Sequence, residues 1–136
     1  MRAPLEYQLD AARFATPEAL AEAVMTRVWR QDTTTPGFAL VDLGPATSGE
    51  RLRASMLALV DALSVHHVAR DGRPLMEVAL GSFDQQRDTQ PHLDGGPPQS
   101  VLVLGYEPTG VFSEVSLCDY TQKALQEGVS PADWLA

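Results

Sequence analysis

Apolar positions recur along residues 14–30 at the spacing of one helix face. Leu20, Val24 and Val28 form a stripe, and Ala21, Met25 and Trp29 widen it. Thr16 offers an N-cap oxygen and Pro17 suits the first helical position, where a missing N–H costs nothing. The pattern dissolves over residues 31–37, where Thr33-Thr34-Thr35-Pro36-Gly37 disfavours continuation. Residues 38–43 are short and apolar and are closed by Gly44-Pro45, which predicts a buried strand.

A second helical period follows. Thr47 and Glu50, three apart, match a capping box, and Leu52, Met56, Leu59 and Leu63 fall on one face. His66, His67, Arg70, Asp71, Gly72 and Arg73 read as a solvated connection. Residues 75–83 return to strand character, 84–89 are polar and loop-like, and 100–106 form the most apolar run of the chain. With apolar residues on both faces, that run is expected to be a central strand. Ser116 and Asp119 offer a further cap signal for a helix reaching about Gln126 and ended by Gly128. Ser130-Pro131, with Asp133 three residues beyond the cap, begins another. No internal repeat, low-complexity tract or interdomain linker interrupts the pattern, so residues 1–136 read as one domain.

Composition narrows the function classes. At 136 residues with 44% hydrophobic content the chain can bury a core, and no stretch is apolar for long enough to cross a bilayer. A net charge of −8 argues against a nucleic-acid partner, because phosphate binding needs a basic surface. The single cysteine, Cys118, leaves no internal disulfide and fits a reducing compartment. No basic-then-apolar leader opens the chain, so a cytoplasmic location is expected.

Candidate chemistry concentrates in Gln90-Pro91-His92-Leu93-Asp94-Gly95-Gly96, just ahead of the apolar run. On an extended backbone His92 and Asp94 leave the same face. An imidazole and a carboxylate so placed make two of the three ligands of a facial iron site. A bare His-x-Asp is a weak signal, and its bland reading is a loop histidine beside a carboxylate partner. The neighbouring Gly95-Gly96-Pro97-Pro98, which permits a tight turn, and the bracketing apolar segments strengthen the metal reading.

This segment resembles the iron-binding stretch of Fe(II)/2-oxoglutarate-dependent dioxygenases, and is most similar to the taurine-dioxygenase-like branch. There, His-x-Asp-Gly precedes a proline-bearing turn and a buried strand. The order of a helix, a Gly37-Phe38-Ala39-Leu40-Val41 strand, a second helix and then strands is also similar. The resemblance runs from about Gly37 onward, but only residues 90–96 are motif-like. It implies an α+β architecture, the N-terminal part of a double-stranded β-helix (a jelly-roll, cupin-like barrel) with flanking helices. It also implies Fe(II) and 2-oxoglutarate as cofactors, with His92 and Asp94 as metal ligands and oxidative hydroxylation of a small molecule as the reaction.

The family's distal His and its 2-oxoglutarate-binding Arg have no counterpart. No His follows His92 and no Arg follows Arg87. Ser113, Ser116 and Thr121 lie where branch members place a co-substrate-contacting Thr, and the spacing selects none of them. Three accounts fit. The chain is part of a longer protein, since the barrel needs about eight strands and about four are legible. Alternatively it is a non-catalytic relic or half-barrel completed by a partner chain, or His66 or His67 folds back as third ligand. Uncovered sheet edges would then favour self-association. A different class of reading is a small acidic interaction module without metal, and a cupin-like metalloprotein that does not use 2-oxoglutarate also stays open.

The remaining conspicuous residues have bland readings beside functional ones. Trp29 and Trp134 suit helix packing better than a substrate platform, and Cys118 suits a small buried hydrophobe better than a reactive thiolate. Glu77 faces either a barrel lumen or water. Asp84, Gln85, Gln86 and Arg87 would flank a metal entrance and contact substrate.

Overall fold

The computed structural model describes residues 7–30, 32–77, 81, 100–107, 110, 115–117 and 119–134. In chain order these contain strand β1 (Gln8–Asp10), a 3₁₀ turn (Ala11–Arg13), helix α1 (Pro17–Val28), strand β2 (Leu40–Asp42) and helix α2 (Gly49–Asp71). Helices α3 (Tyr120–Gln126) and α4 (Pro131–Trp134) follow.

Helix α1 forms where its pattern places it. The Thr16 hydroxyl accepts the Ala19 amide at 3.3 Å and Pro17 opens the first turn, so two of the amides that begin any helix need no water. The stripe it presents meets α2. Ala21 and Val24 pack with Leu59, Ala62 and Leu63 from α2 and with Leu9 from β1, and Leu63 is 1% exposed. Phe14, Leu20, Met25, Val28, Trp29, Val41 and Leu75 close around this centre. Burying such side chains yields roughly 1.5–3 kcal/mol each, which makes the α1–α2 seam the main source of stability among the described residues.

Strands β1 and β2 pair in parallel, with Gln8 opposite Leu40, Leu9 opposite Val41 and Asp10 opposite Asp42. A parallel pair needs a crossover, and α1 supplies it, packing its apolar stripe back over Leu9. This overturns the expected fold class. A jelly-roll barrel is built from antiparallel strands, whereas the described residues form a two-stranded open parallel sheet joined to a helical pair. No double-stranded β-helix is evident among them.

Residues 100–106, expected to be a central strand, belong to neither strand nor helix. Leu102, Leu104 and Tyr106 are 58%, 45% and 58% exposed, while Val101 and Val103 are half-buried. Period-two alternation is therefore present without a ladder. Hydrophobic content alone does not make a strand, because the backbone amides still need a neighbour to bond. Gly105 lies against Met56 and Leu52, and the Arg53 guanidinium holds the Glu107 carboxylate, so the segment is held along the first half of α2. Of the strand expected at 75–83, the described residues 75–77 and 81 have no regular structure, and Glu77 is exposed.

Helix α2 differs from its expected bounds at both ends. Ser48, not Thr47, is the cap, its hydroxyl accepting the Arg51 amide at 3.2 Å. Thr47 is instead buried, and its hydroxyl donates to the Leu43 carbonyl at 2.7 Å, tying off the preceding turn. At the far end the helix runs through His66, His67 and Arg70 and stops at Gly72, which adopts φ 74°. Nothing before Gly72 breaks a helix, so this stretch extends α2 and is not a loop, with Arg70 and Asp71 exposed and His66 and His67 half-buried.

Helix α3 ends where expected but begins at Tyr120, with Asp119 and not Ser116 as its cap, and α4 begins after Ser130 as expected. Asp119 caps α3 by accepting the Thr121 amide at 3.1 Å, and Gly128 turns with φ 71°. Ser130 accepts the Asp133 amide at 3.2 Å and donates its hydroxyl to the Asp133 carboxylate at 2.6 Å. Among the described residues, no helix is long and apolar enough to cross a membrane.

Candidate functional site

His92 and Asp94, the two residues expected to ligate iron, lie outside the described residues, as do Asp84, Gln85, Gln86, Arg87, Ser113 and Cys118. Of the other residues considered for a role near the co-substrate, Ser116 is exposed. Thr121 is half-buried and begins α3 with its amide on Asp119.

The structure does decide what His66 and His67 are doing. Both stand on the last turns of α2. His66 Nε2 lies 3.0 Å from the Glu18 carbonyl of α1, so it acts as a donor there and links the two helices. His67 is turned inward. Its Nδ1 donates to the Arg73 carbonyl at 2.6 Å, Nε2 lies 3.3 Å from the Asp71 carboxylate, and its ring centroid is 5.8 Å from that of Trp29. Both nitrogens of His67 face acceptors. A metal needs a ring nitrogen with an open lone pair; the Glu18 contact occupies Nε2 of His66 and the Arg73 contact occupies Nδ1 of His67. Among the described residues, no group of three or more His, Cys, Asp and Glu is placed to hold a metal.

Two polar clusters that the sequence did not announce hold the elements together. At the C-terminal end of α2, Arg70 lies 5.3 Å over the Trp29 ring and its NH2 reaches the Asp71 carboxylate at 2.7 Å. The guanidinium thus stacks on an aromatic face and pairs with a carboxylate at once. Trp29 is a packing residue at the C-terminal end of α1, as expected. The i, i+4 spacing of His67 and Asp71 was the available signal, hidden because a loop was expected there.

The second cluster joins the segment after α1 to the start of α3. Arg30 holds Asp119 in a two-pronged contact, its NH2 3.2 Å from Oδ1 and its NH1 on Oδ2, while NH1 also donates to the Thr35 carbonyl. The pair is 21% and 16% exposed, so water competes weakly for it. The Arg30 hydrogen bonds hold the Asp119 carboxyl below the usual carboxylate range, against the opposing effect of burial. Asp119 in return raises Arg30. Eighty-nine positions separate the partners, and no local pattern signals a contact at that range.

What the two clusters can do chemically is hold elements together. They contain no nucleophile beside a base and no ligand set. No protein family, curated protein or solved structure matches the chain.

Proposed function

We propose that this chain is an Fe(II)/2-oxoglutarate-dependent oxygenase-like protein in which His92 and Asp94 hold one side of the metal and a further polypeptide segment supplies the rest. The observation that carries the reading is the run Gln90-Pro91-His92-Leu93-Asp94-Gly95-Gly96 followed by an uncharged apolar stretch. One structural observation is consistent with a site completed from elsewhere: Leu102, Leu104 and Tyr106 stand exposed just downstream of the motif in sequence. The reading rests on this segment and not on a barrel. When bound, iron and 2-oxoglutarate would supply oxidising power toward a C–H bond of a small molecule. A cytoplasmic location goes with it, supported by the single cysteine.

A second reading is an acidic interaction module with no metal. The same exposed row favours it, together with the parallel sheet and helical pair that replace the expected barrel.

An anaerobic Fe(II) titration by calorimetry, with and without 2-oxoglutarate, tests the first. Where a second copy of the chain supplies the completing segment, the first reading gives Fe(II) binding of micromolar affinity, on the order of −8 kcal/mol. His92→Ala removes that binding, while His66→Ala and His67→Ala leave it in place. Equal affinity in His92→Ala sinks the site assignment. A folded chain that takes up no Fe(II) under any of these conditions carries half of a site or none.

A further inference from the structure

We draw no further inference here: the strongest candidate, the exposed apolar row Leu102, Leu104 and Tyr106 lying along α2, carries nothing beyond the readings above because nothing in the structure shows what covers it.

Discussion

Asp119 has two roles on one carboxylate. It caps α3 through the Thr121 amide and receives Arg30 from the other end of the described chain. Asn caps a helix about as well as Asp, so Asp119→Asn removes the charge and keeps the cap. At pH 7 the substitution is expected to lower stability by about 1–2 kcal/mol, the range for a partly exposed charge-assisted hydrogen bond. The sign with pH follows from the depressed acidity of Asp119. A carboxylate held below its unfolded value stabilises fully above that value, near 3.9. The contribution fades as pH falls through the folded value. Urea unfolding at pH 7 and near pH 3 should therefore show the gap between the parent chain and Asp119→Asn narrowing at the lower pH. A gap of the same size at both would mean that Arg30 acts through packing alone. Read from sequence, Asp119 was visible as a cap signal paired with Ser116, but the ion pair was not, because Arg30 is distant in the chain and nothing local marks a tertiary partner.

At the scale of elements, legibility follows how local the determining interactions are. Helix α1 and its Thr16 cap, the α3 stop at Gly128 and the Ser130 cap of α4 all depend on residues within one turn, and the sequence placed each of them. The short β2 strand was also foreseen, within wider bounds, but as a buried one, whereas Leu40 and Asp42 are exposed and Val41 half-buried. Strand partners are not local. Residues 38–43 and 100–106 read alike, yet only the former finds a neighbour, in β1, a strand the sequence did not announce. The candidate site was legible only as a motif, and α2 carries His66 and His67 onto the Glu18 and Arg73 carbonyls. Gly72 sets that end. It sits at φ 74° with nothing within 4 Å of an added Cβ, so a side chain there meets backbone strain and no clash. Gly72→Ala is expected to cost about 1 kcal/mol, and Gly72→Asn less, because Asn tolerates the left-handed region. Thermal unfolding should rank the three as Gly, Asn, Ala from most to least stable. An alanine variant as stable as the parent would show that α2 frays before Gly72 in solution.

On the scale of the whole molecule, an apolar row and an acidic charge pull in opposite directions. Residues 100–106 carry no charge and no proline, and the outward Leu102, Leu104 and Tyr106 are of the kind that pairs with another chain. A net charge of −8 opposes the approach of a second copy. Screening weakens that repulsion, since the Debye length falls from about 10 Å at 0.1 M salt to about 3 Å at 1 M. Burial of apolar area is not weakened by salt. If the row is a pairing surface, light scattering coupled to size exclusion should report a mass above 14.7 kDa that grows with ionic strength. Leu104→Lys should return the chain to monomer mass by placing a cation in the row. Leu57→Lys, on an exposed position of α2, adds the same charge and serves as the control. Equal loss of association in both variants would assign the effect to net charge, and a monomer at every salt concentration would remove self-pairing through this row. Association that survives in Leu57→Lys and vanishes in Leu104→Lys would locate the interface on residues 100–106, the stretch that follows the His92–Asp94 motif in sequence.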